Sequence, residues 1–110
     1  MIRVEEYITM AGERPFAKWF DELDAHAANK VNVYLTRIGQ GNISSLKPIK
    51  GAFQEVHIDW GPGYRIYVGK DGDKLIILLG GGTKKQQQKD IDHAQRLWEE
   101  YKQRRKGQPL

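Results

Sequence analysis

Over residues 2–8, Ile2, Val4, Glu6 and Ile8 alternate with Arg3, Glu5 and Tyr7. That period of two predicts a strand with the first set on its buried face. The period then lengthens. Pro15 stands where a helix tolerates proline, and Phe16, Trp19, Phe20 and Leu23 follow at i, i+3, i+4 and i+7, the apolar face of a short helix. Asp24 is placed to cap a second helix with Ala27, Val31, Tyr34, Leu35 and Ile38 inward, and Gly39 and Gly41 supply its stop. The two helices read as a hairpin, with the aromatic stripe as core.

Beyond the loop at residues 42–45 the period returns to two. Residues 46–51 read as a short extended piece that Pro48 confines to an edge or a loop. Residues 53–60 alternate Val56, Ile58 and Trp60 with Glu55, His57 and Asp59, which predicts a half-buried strand. A Gly61-Pro62-Gly63 turn leads to a strand with Tyr64, Ile66 and Val68 on one face and Arg65 and Tyr67 pointing outward together. After Asp71-Gly72, the unbroken run Leu75-Ile76-Ile77-Leu78-Leu79 predicts a central strand. Thr83 and Gln86 have the spacing of a capping box, so a last helix is expected from Lys84, burying Ile91, Ala94, Leu97, Trp98 and Tyr101. Its basic end suits a helix C-terminus, and Pro109 and Leu110 read as frayed. The fold class is therefore α+β, with an N-terminal strand, a helical hairpin, a three-stranded antiparallel meander joining a small sheet, and a C-terminal helix.

Length narrows this to one domain over residues 1–110. No apolar run nears the roughly 20 residues of a membrane span. The N-terminus lacks a secretion signal and there is no cysteine, so cytoplasmic residence is expected. Charge adds an asymmetry: residues 1–46 carry five Lys/Arg against six Asp/Glu, and residues 47–110 carry thirteen against eight. The glycine-rich half is the basic half, which suits an acidic partner or is simply a soluble basic surface.

Arg65, Lys84 and Lys85 are the candidates for holding an anion, the lysines at a helix start where free backbone N–H groups already favour one. The competing readings are a cross-strand pairing of Arg65 with Glu55 or Asp59, and a solvated turn for the lysines. Lys47 and Lys50 extend the basic strip or are plain surface charges. His57 shares strand parity with Glu55 and Asp59, and histidine is the side chain suited to moving a proton near neutral pH. His26, His57 and His93 lie far apart without cysteine, so no metal cluster is expected. The glycines match neither a Walker loop nor a dinucleotide fingerprint, and no cofactor is expected.

Together, Pro15-Phe16 with Trp19, Gly41-Asn42, Glu55, the run Gly61-Pro62-Gly63-Tyr64-Arg65-Ile66-Tyr67, and Leu79-Gly80-Gly81-Gly82-Thr83-Lys84-Lys85-Gln86 with Asp90-Ile91 resemble the RelE/ParE superfamily of small toxins, specifically its HigB-like addiction module killer group. The likeness spans nearly the whole chain. It implies a RelE-like toxin of a type II toxin-antitoxin system that cuts mRNA, commonly in the ribosome, as a metal-independent endoribonuclease. The implied catalytic set is Arg65 on the phosphate, Lys84 and Lys85 sharing that role, and His57 as proton carrier. Lys47, Lys50, Tyr67 and Gln86 are the implied RNA contacts. That group frequently has arginine after Glu-Leu where this chain has Glu55-Val56-His57. The implied partners are the ribosome, mRNA and a helix-turn-helix antitoxin whose complex with the toxin binds operator DNA, with no membrane. A ParE-like gyrase inhibitor without nuclease activity and a non-toxic binding module are the alternatives on the same fold.

Overall fold

The computed structural model describes residues 1–107, so the reading of Pro109 and Leu110 lies outside the described residues. The expected order of elements is present: β1 (Arg3–Glu6), α1 (Pro15–Asp21), α2 (Ala25–Gly39), β2 (Leu46–Lys50), β3 (Phe53–Ile58), β4 (Tyr64–Lys70), β5 (Leu75–Thr83), a 3-10 turn (Lys84–Gln86) and α3 (Gln87–Gly107). The strands form one mixed sheet in the order β1-β5-β4-β3-β2. β1 runs parallel to β5, and every other pairing is antiparallel. Among the described residues, no helix is long and apolar enough to cross a membrane.

Local chemistry accounts for the boundaries. Pro15 opens α1, and the Asp24 carboxylate accepts from the Ala27 N–H at 2.9 Å to cap α2. Gly61 and Gly63 take positive φ in the β3–β4 turn, which the Gly63 N–H closes on the Trp60 carbonyl at 3.0 Å. Pro48 lies on edge strand β2, where its missing N–H breaks no inner ladder. Thr83 makes no side-chain cap bond, contrary to the capping-box reading; a 3-10 turn intervenes and α3 begins three residues later.

Both faces of the sheet are covered. One carries Val56, Ile58, Ile66, Val68, Ile76 and Leu78 under Phe16, Val31 and Ile38 of the first two helices. The other carries Tyr7, Phe53, Tyr67, Ile77 and Leu79 under Ala94, Leu97 and Trp98 of α3. This two-sided burial makes residues 75–79 an unbroken apolar run and corrects two expectations. Tyr7 packs beneath α3 while Ile8, past the end of β1, is 49% exposed, the reverse of the predicted alternation. Arg65 and Tyr67 share a face as expected, but it lies under α3 and not in solvent. Strand β3 also ends at Ile58, which leaves Asp59 in the turn.

The basic end of α3 is tied down. Arg104 donates to the Ile8 carbonyl at 2.7 Å, Arg105 pairs with Asp71 at 2.8 Å, and the Tyr7 and Tyr101 hydroxyls bond to Glu100 and Asp71. These contacts seat the helix against β1 and the β4–β5 turn.

Candidate functional site

Register builds the site. Lys47, Glu55, Tyr67 and Gly80 form one row across β2 to β5, and His57, Arg65 and Gly82 form the next. Tyr67 pairs with Gly80 whereas Val68 pairs with Leu78, so β5 carries an extra residue at this bulge. The shift sets Gly80 and Gly82 opposite Tyr67 and Arg65, and β5 presents no side chain there. Asp90 of α3 occupies the space over Gly82: a Cβ on that glycine would overlap Oδ2 and lie 2.9 Å from Cγ.

The polar groups in these rows are incompletely matched. The Arg65 side chain is 11% exposed, and its Nε stands 3.8 Å from Glu55 Oε1, an ion pair beyond hydrogen-bond reach. Arg65 Nε and the Tyr67 hydroxyl are both buried without a hydrogen-bond partner. A buried donor left unpaired costs about 1–3 kcal/mol, so two neighbouring ones call for an explanation. Burial, reinforced by the charges of Asp90 and Glu55 and opposed by Arg65, pushes the Tyr67 phenol up to about 12. Burial also raises the Asp90 carboxyl, against the pull of His93 and Lys89. Perturbed groups gathered beside a cleft mark a candidate site.

That cleft lies where β1 stops. The ladder between β1 and β5 closes with the Tyr7 N–H on the Leu78 carbonyl at 2.9 Å, after which the outer edge of β5 runs on between α1 and α3. The space holds about 480 Å³, floored by Tyr67 and the three glycines 80–82, with Trp19 on the α1 side and Asp90 and His93 on the α3 side.

Of the expected residues, Arg65 and His57 face each other directly across β3 and β4, with Tyr67 in the next row. Lys85 and Gln86 line the cleft; Lys84 is exposed on the same 3-10 turn but outside it. Lys47 is exposed on the edge strand opposite Glu55. Lys50 does not join the group: it pairs at Phe53, four residues from His57, or about 13 Å along the strand. Asp90, Trp19 and His93 were not singled out as site residues. Only Asp90 left a usable trace, as the one acidic residue in the first turn of α3. Among the described residues no three His, Cys, Asp or Glu side chains are grouped to hold a metal ion.

Fold and site thus define a small α+β protein with a polar cleft at the exposed edge of an inner strand. No protein-family model matches the chain. Over 86 residues it is 37% identical to a Haemophilus influenzae protein described only as uncharacterized, covering 77% of this chain and 87% of that protein. The chain belongs to the same family as that protein.

Proposed function

We propose that this protein is the toxin of a type II toxin-antitoxin system, a metal-independent endoribonuclease of the HigB-like RelE/ParE group that cuts mRNA on the ribosome in the cytoplasm. The observation that carries the reading is the pair of buried, unpartnered donors, Arg65 Nε and Tyr67 OH, on one sheet face. Such donors suit the non-bridging oxygens of a phosphodiester, on which charge grows as a ribose 2′-hydroxyl attacks and the 5′-oxygen leaves. His57, across the ladder from Arg65, is the candidate to take the 2′-hydroxyl proton. Lys84, Lys85 and Lys47, all exposed, steer and position the RNA backbone. An antitoxin with an acidic contact would cover this region.

A second reading has one observation in its favour. Arg65 is 11% exposed, which suits a structural guanidinium as well as a catalytic one. The protein would then be a gyrase-binding inhibitor of the same fold. Induced expression separates the two: growth arrest with new 5′ ends inside translated messages is expected, whereas an SOS response with intact mRNA would move the assignment to gyrase.

A further inference from the structure

The two edges of the sheet are finished differently. β2 carries devices that keep an edge from pairing with another chain: Pro48 has no N–H, Lys47 and Lys50 are exposed, and a bulge interrupts its register. The opposite edge lacks such protection at one end. β1 covers β5 only as far as Leu78, and beyond it Gly80 to Thr83 offer main chain without a proline or a charge. On their inner side these four residues pair regularly with Tyr67 to Tyr64. Alternation divides what flanks the bare edge: Trp19 of α1 lies over Gly81 on one face of the sheet, and Asp90 of α3 lies over Gly82 on the other. The edge is thus the floor of a slot with a lip on each face, and its three glycines put no side chain into it.

We propose that this slot binds an extended, acidic segment of a partner protein, which adds to the sheet as a strand beside β5 and in line with β1. The inference takes from the reading above only that a protein partner covers this region, and it is independent of any cleavage chemistry. An added strand sends alternate side chains to the two faces, so it meets both lips at once. The floor alternates N–H donors with C=O acceptors, and a polypeptide satisfies both kinds. An RNA backbone brings mainly acceptors and would set its phosphates against the Asp90 carboxylate. Where β5 ends, Lys84 and Lys85 are exposed, as is Lys18 on the α1 lip, and none of the three is in an ion pair among the described residues. That end favours acidic residues. At the other end, where the chain leaves β1, Ile8 and Met10 are 49% and 70% exposed and offer an apolar contact. A second copy of this chain does not fit: its own β5 edge is recessed between the same lips, and its β2 edge brings Lys47 and Lys50 to a rim that is already basic.

A ¹H–¹⁵N NMR titration of the full chain with Ac-Ile-Thr-Val-Thr-Glu-Glu-NH₂ and with its reverse, Ac-Glu-Glu-Thr-Val-Thr-Ile-NH₂, tests both strand directions. One of the two is expected to shift the Trp19 indole and the Gly80, Gly81, Gly82 and Thr83 amides while leaving those of β2 in place. N-methylation of its two central residues should abolish the shifts, because one of any two neighbouring amides faces β5. Lys84→Glu combined with Lys85→Glu should weaken binding roughly tenfold, with a cooperative thermal transition retained. Silence with both peptides, or shifts that survive N-methylation, would overturn the inference. So would hexauridylate moving the same amides at lower concentration than either peptide, which would make the slot an RNA groove. Concentration-dependent dimerisation that moves these amides with no peptide present would overturn it in favour of self-association. Peptide binding by a chain that cuts no RNA would leave the slot standing and remove the nuclease reading; RNA cleavage by a chain whose slot stays silent would do the opposite.

Discussion

Gly82 and Asp90 exclude each other's side chains: the carboxylate stands where a Cβ on the glycine would be, and only the Asp90 Cβ, at 3.6 Å, would be an ordinary neighbour. Gly82 is here for space, since its φ is not positive and its backbone suits any residue. Gly82→Ala should therefore destabilise the fold by about 1–3 kcal/mol, the usual cost of overpacking. In an Asp90→Ala background most of that cost should vanish, because the remaining contact is ordinary. A double-mutant cycle by urea unfolding measures the coupling; additive losses would mean that Asp90 simply swings aside.

Arg65→Ala separates chemistry from scaffold. A solvent-exposed arginine would be neutral to remove, but this one is mostly covered, and the small stability change expected here has a different origin. Truncation deletes an unpartnered buried donor, worth about 1–3 kcal/mol in the variant's favour, and offsets this by losing side-chain packing and the countercharge of Glu55. The net change in urea unfolding should stay within about 1 kcal/mol while growth arrest disappears. Arg65→Lys should not restore toxicity, because a lysine lacks the fork that grips two phosphate oxygens. A loss of several kcal/mol, or full toxicity retained, would assign Arg65 to the scaffold.

The periodicity carried the order of elements because each strand and helix has a buried face that repeats. It did not carry the second layer. Val56, Ile58, Ile66 and Val68 announce one buried face, whereas the opposite face is filled by Tyr67, Arg65 and Gly69, residues that read as polar or as breaks. The unbroken run at residues 75–79 already implied burial on both sides, and extending that inference to neighbouring β4 would have placed Tyr67 indoors. The β5 bulge left no such trace: three consecutive glycines fit a loop, a turn or a strand equally, and only pairing shows that Gly80 and Gly82 clear the floor of a cleft. Strand parity offered Glu55 or Asp59 as the cross-strand partner of Arg65, and the register sets His57, the residue between them on that face, directly opposite it. Asp90 was not legible, because its role depends on how α3 docks.

Gly69 makes the docking of α3 testable. A Cβ there would overlap Cε3 and Cζ3 of Trp98 and lie 2.6 Å from Cδ2, and Trp98 is buried and stacked on Tyr101 at 5.2 Å. A buried indole has less freedom to move than a carboxylate at a cleft. Gly69→Ala should cost about 2–3 kcal/mol or more and red-shift or broaden tryptophan emission as α3 loosens. A melting temperature within 2 °C or so of wild type would show that the helix accommodates the methyl by sliding.

Tyr67 carries a pH signature. Its phenol is pushed up to about 12 from an ordinary value of 10.0, so the folded chain holds this proton more tightly than the unfolded chain does. The stabilisation is then fully present below pH 10, where both states are protonated, and is lost as pH rises through the window from 10 to 12. The drop from this residue should be on the order of 2 kcal/mol, and Tyr7 and Tyr101, whose phenols are also raised, add to it with the same sign. Tyr67→Phe should behave differently at both ends. Near neutrality it removes an unpartnered buried hydroxyl and should stabilise the fold by about 1 kcal/mol. In alkali it should flatten the decline, leaving only what the other tyrosines contribute. Urea unfolding at intervals from pH 7 to 11.5 compares the two proteins directly; parallel curves would mean that the folded chain does not hold the Tyr67 proton more tightly than the unfolded chain does.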